Sequence, residues 1–76
     1  MTPVQLKMAR AALSLGIRDT AKLARVSHDT ITRIETGDET LKESTVDKVR
    51  AALEAAGVVF VADNGEGPGV RLRKGG

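Results

Sequence analysis

The residues best suited to chemistry lie between Ser27 and Thr36. Ser27, His28 and Asp29 are the three residue types of a hydrolase triad, but they are consecutive. Neighbours on a helix point ~100° apart and cannot converge on one reacting atom. What the run can do is form hydrogen bonds. Arg33 can give paired N–H bonds to guanine O6 and N7, Asp29 can accept from cytosine N4, and Thr32 fits either kind of base edge. His28 can donate to guanine or to a phosphate. Asp29 would also repel nearby phosphates. Ser27, Thr30 and Thr36 can bond phosphate oxygens, which positions a helix without reading sequence. Arg18, Lys22 and Lys42 are the cations expected to hold the same backbone.

These side chains need a scaffold, and the pattern predicts one. Thr2-Pro3-Val4-Gln5 reads as a capped helix start, with Gln5 completing a capping box. Leu6, Ala9 and Leu13 then recur on one face. Met8 is expected as core filler. Gly16 either ends this helix or caps a second one over Ile17–Ala24, where Ala21 and Ala24 allow close helix approach. Val26-Ser27 reads as a turn with Ser27 as N-cap. A third helix is expected from His28 to Thr36, with Ile31 and Ile34 inward and Gly37 as its stop. After a polar connection, Ser44 is the expected N-cap of a fourth helix, with Asp47 in its first turn. That helix runs to Ala56 and buries Val46, Val49 and Leu53, with Ala52 and Ala56 at the margin. Gly57 ends it. Val58–Ala62 and Val70–Arg73 read as strands around a Gly-rich loop. No helix follows that loop, so it cannot offer a helix N-terminus to a phosphate. The expected division is a helical unit, 1–57, and an extension, 58–76.

Composition removes most other classes. The chain has 76 residues, 41% of them hydrophobic and 29% charged, which suits one small globular domain. There is no Cys and one His, so neither a thiolate site nor a histidine cage is available, and no metal or cofactor is expected. No paired acids or nucleophile–base pair stand at workable spacing, so an enzyme is not expected. The single aromatic, Phe60, rules out a base-stacking platform. The longest apolar run, Val58–Ala62, is far too short for a membrane span. No signal peptide is visible, so a cytoplasmic, nucleoid-associated protein is expected. The net charge of +2 is unevenly spread. Residues 1–37 hold six Lys and Arg against three acids, whereas residues 38–57 hold three against five. A polyanion would bind the first half.

Thr20-Ala21-Lys22-Leu23-Ala24-Arg25-Val26-Ser27-His28-Asp29-Thr30-Ile31-Thr32-Arg33-Ile34-Glu35-Thr36-Gly37 resembles the Cro/Xre-type helix-turn-helix regulators of lambda-repressor-like fold. The likeness covers about residues 4–56. It implies a helical domain of five helices or fewer that binds double-stranded DNA as a dimer and controls transcription, most often as a bacterial or phage repressor. With the elements read above, the expected fold is mostly α, four helices and a C-terminal β-strand pair. It places Ser27, His28, Asp29, Thr32 and Arg33 where relatives touch DNA. It also implies an ion pair between Arg10 and Glu35 that braces the motif. Two departures stand out. Relatives usually carry Gly where this chain has Arg25, and Arg tolerates a left-handed backbone poorly. Relatives often open the second helix with Ser-Gln, whose Gln holds a phosphate; here Gly16-Ile17 stands there, and the contact falls to Arg18 or Lys22.

The C-terminal strands admit two arrangements, a hairpin within one chain or an intersubunit sheet. The second would make Val58, Val59, Phe60, Val61, Val70 and Leu72 a homodimer interface. Arg71, Arg73 and Lys74 would then face solvent or phosphate. A competing function is an antitoxin-like module whose strand Val58–Ala62 augments a partner protein's sheet.

Overall fold

Leu6, Ala9, Ala21, Ala24, Ile31, Ile34, Val49, Leu53 and Val58 form one buried cluster, and every secondary-structure element but the last contributes to it. The computed structural model describes residues 1–74. Four helices, α1 (Pro3–Ala12), α2 (Ile17–Ala24), α3 (His28–Glu35) and α4 (Glu43–Ala55), precede two strands, β1 (Val58–Val61) and β2 (Gly69–Leu72).

Helix α1 begins as its residues dictate. Thr2 Oγ1 accepts from Gln5 N, Gln5 Oε1 accepts from Thr2 N, and Pro3 occupies the first turn. Its inward face is Gln5, Leu6 and Ala9, with Leu13 partly buried. Met8 is 36% exposed rather than core filler. It stands two residues, about 200° of helical turn, from Leu6 and shares the outer face with Val4.

Helices α1, α2 and α3 end alike. In each, one amide bonds back five residues and the preceding amide bonds back three: Leu15 N to Arg10 O with Ser14 N to Ala11 O, Val26 N to Ala21 O with Arg25 N to Lys22 O, and Asp38 N to Arg33 O with Gly37 N to Ile34 O. This is the Schellman pattern, which needs a left-handed residue at its centre. Gly37 supplies it freely at φ 79°, whereas Ser14 (φ 57°) and Arg25 (φ 58°) adopt it against their side chains. Gly16 is the N-cap of α2, its amide held by Asp19 Oδ2.

Helix α4 starts earlier than its Ser44 would indicate. Lys42 is the N-cap, because Thr45 N and Val46 N both bond Lys42 O, and Glu43 takes the first helical position, where a negative charge suits the helix dipole. Val49 and Leu53 are fully buried, Val46 and Ala52 only partly, and Ala56 is exposed past the helix end.

The two strands pair antiparallel within one chain, Val58 opposite Leu72 and Phe60 opposite Val70. Alternation turns Val58 and Phe60 toward the helices, where Val58 joins the core and Phe60 and Val70 pack against it. Strand β1 begins at Val58 as the pattern predicts and ends one residue sooner, at Val61, while β2 sits one residue earlier than predicted, Gly69–Leu72. Leu72 stays 48% exposed at the open end of the sheet. Gln5 ties the hairpin to α1: its Nε2 donates to Val61 O and to Gly69 O, both at 3.0 Å. Arg50 of α4 lies over the Phe60 ring at 5.5 Å.

Candidate nucleic-acid interface

Helices α2 and α3 are joined by Arg25, Val26 and Ser27. The sequence can turn this tightly because Arg25 closes α2 in the left-handed conformation and Ser27 opens α3 at once. Ser27 Oγ accepts from Thr30 N at 3.2 Å. A third element clamps the corner, since Lys48 Nζ of α4 donates to Arg25 O at 3.1 Å. Ala21, Ala24, Ile31 and Ile34 are all buried, so α3 is held by its apolar face and turns the other outward.

On that outward side His28, Asp29 and Thr32 are exposed, and Arg33 is partly so. All four belong to one helix face. Thr32 Oγ1 donates to His28 O and Thr36 Oγ1 donates to Arg33 O, so these hydroxyls lie against their own helix. Arg33 is not loose. Its Nε donates to Asp38 Oδ2 at 2.8 Å and its Nη2 to Thr40 Oγ1 at 3.1 Å. The Asp38 carboxyl also accepts from Thr40 Oγ1 and Thr40 N. Bonds from the Thr40 hydroxyl, the Arg33 guanidinium and the Thr40 amide hold the Asp38 carboxyl down at about 2. The Arg33 guanidinium is raised in turn, chiefly by its bond to Asp38.

Beside the N-terminus of α3 lies an open groove of about 430 Å³ lined by Arg18, Lys22, Arg25, Ser27 and His28 together with Ala21 and Val26. It brings together Arg18, Lys22 and Ser27 of the expected phosphate contacts and adds Arg25. Thr30 lies one turn into α3, half buried, with its Oγ1 2.9 Å from Ser27 Oγ. Thr36 stands at the far end of α3 and Lys42 at the start of α4, and neither lines the groove.

Arg10 reaches across the back of the motif. Its Nε donates to Glu35 Oε2 at 2.5 Å and its Nη2 to Glu35 Oε1 at 3.0 Å, while Nη1 donates to Leu15 O. The Glu35 side chain is only 8% exposed. The bidentate pair fixes the end of α3 to the end of α1. It raises the Arg10 guanidinium above its ordinary value, through the Glu35 hydrogen bond first, against a smaller opposing effect of burial.

The arrangement is a helix held across a second one, polar outside and flanked by cations. The family model for the helix-turn-helix domain matches residues 4–60, most of the chain. The chain belongs to the helix-turn-helix domain family. It therefore carries a helix-turn-helix DNA-binding domain, with α2 and α3 as the two helices of the motif. No curated protein gives a significant match. Among the described residues, no group of acids and histidine is placed to hold a metal, and no helix is long and apolar enough to cross a membrane.

The hairpin residues have mixed accessibility. Val58, at 1% exposure, is spent on the chain's own core. Val59, Phe60, Val61 and Val70 are half-buried and Leu72 is exposed. The bonds of Gln5 to the hairpin and the tie of Arg33 to Asp38 and Thr40 are polar contacts that sequence reasoning missed. No periodic signal links Gln5 to carbonyls 56 and 64 residues away.

Proposed function

We propose that this protein is a sequence-specific transcriptional regulator of the Cro/Xre type, acting as a homodimeric repressor on a dyad-symmetric operator. The observation that carries this reading is the outward face of α3, with His28, Asp29, Thr32 and Arg33 displayed together and the basic groove at one end. In this reading α3 enters the major groove. His28, Asp29, Thr32 and Arg33 bond base edges, while Arg18, Lys22, Ser27, Thr30, Thr36 and Lys42 hold phosphates.

Residues 1–57 are the reading unit, and the extension from 58 joins two chains. Because the strands pair internally and Val58 is buried, the joining surface is what the hairpin leaves accessible: Val59 and Val61 on the face away from the helices, Leu72 at the open end, and the exposed part of the half-buried Phe60 and Val70. Salt-dependent binding tests the reading. Each phosphate contact contributes about 0.9 to the slope of log affinity against log salt, so removing the charge of Arg18 or Lys22 lowers the slope by about one. Two chains should occupy each operator duplex by sedimentation. A slope unchanged in both variants, or one chain per duplex, contradicts the assignment.

A further inference from the structure

We infer that Asp38 and Thr40 are positioning residues that set Arg33 as a guanine reader. The inference rests on the proposed reading role of Arg33 and adds what makes that role selective.

The bonds form a closed ring. Arg33 Nε donates to Asp38 Oδ2, Arg33 Nη2 donates to Thr40 Oγ1, and Thr40 Oγ1 donates to Asp38 Oδ1 at 2.6 Å. The ring is anchored twice to the backbone. Thr40 N donates to Asp38 Oδ1, and Asp38 N closes the Schellman end of α3 on Arg33 O. Asp38 is therefore fixed relative to the very residue it holds.

Guanidinium geometry gives the ring its meaning. Five N–H donors lie in one plane. The two bonds formed use Nε and Nη2, the lateral edge. The terminal edge, one donor of Nη1 and the second donor of Nη2, makes no bond among the described residues. That edge supplies the parallel pair that matches guanine O6 and N7. A free Arg must give up rotamer freedom to present it, whereas one held laterally has already done so. A carboxylate beside DNA would ordinarily weaken binding by repelling phosphate. Here its charge is matched by the guanidinium it bonds.

The test uses the full chain and the duplex it binds best from a random pool. Affinity is compared with duplexes altered at each base pair and with unrelated DNA. Arg33→Ala identifies the base pair that Arg33 reads. Asp38→Asn should then lose roughly five- to tenfold of the discrimination at that pair alone. Removing a negative charge should leave binding to unrelated DNA equal or stronger. Thr40→Val should lose part of the discrimination and Thr40→Ser should restore it. A strut that only stabilised the loop would lower specific and unrelated binding together. If Arg33→Ala leaves base preference unchanged, the reading role falls and this inference with it. If Arg33→Ala changes the preference while Asp38→Asn and Thr40→Val do not, the inference alone is overturned.

Discussion

Arg25 shows how one side chain can be spent against its own backbone. A left-handed L-residue costs about 1–2 kcal/mol, and glycine's extra freedom in the unfolded chain returns about half of that. Arg25→Gly should therefore raise stability by about 0.5–1 kcal/mol in urea denaturation, since the φ of 58° and the Schellman bonds would persist. Asp38 allows a second check. Its carboxyl sits at about 2 in the folded chain, below the ordinary 3.8. A depressed carboxylate stabilises the fold fully above its unfolded value and loses that contribution as pH falls through the folded one. The Arg33–Asp38 pair should hold at neutral pH and weaken between about 4 and 2, which a carbon-detected NMR titration of Asp38 would follow. In Thr40→Val the midpoint should move up toward the ordinary value. At this scale the sequence was partly legible. Gly37 announced a left-handed stop by its type, and the resemblance drew attention to Arg25 through a missing Gly. Ser14 gave no such sign, because nothing local distinguishes a serine that ends a helix from one that precedes a cap. Arg33 and Asp38, five apart across a helix end, lie outside the spacing at which helical neighbours are recognised.

The elements were easier to read than their edges. The first three helices follow from Leu6, Ala9, Ala21, Ala24, Ile31 and Ile34, whose spacing gives each helix a single buried face. Edges shifted where two caps competed, as Lys42 and Ser44 do at α4, and where a strand could begin on either side of Val70. What joins the elements was less visible still. Gln5 serves its own helix cap through Oε1 and the hairpin through Nε2. Gln5→Leu would remove the Nε2 bonds to Val61 O and Gly69 O together with the Oε1 bond to Thr2 N, and each such bond contributes about 0.5–1.5 kcal/mol. Total stability should fall by about 2 kcal/mol. Hydrogen exchange should show the loss concentrated in β1, β2 and the first turn of α1, the two places Gln5 bonds, and not in α2 or α3. Uniform acceleration over all elements would contradict this role for Gln5.

Across the whole molecule, function is built by contrast between two sides. One side is closed by the Arg10–Glu35 brace and by the hairpin, whose Val58 completes the core. The other is open, with α3 polar outward and Arg18, Lys22 and Arg25 around its start. Of the first-half cations, Arg18, Lys22 and Arg25 line this open side, whereas Arg10 belongs to the brace on the other. The intrachain closure of the hairpin could not be read, because four-residue strands with alternating faces pair as well with a second copy as with each other. The most direct measurement is selection of bound duplexes from a random pool at two salt concentrations. A motif with dyad symmetry and half-sites ~10–11 base pairs apart, enriched at both salts, is the predicted result. Binding without any enriched motif, lost as salt rises, would show phosphate attraction alone and contradict the proposal that α3 reads sequence.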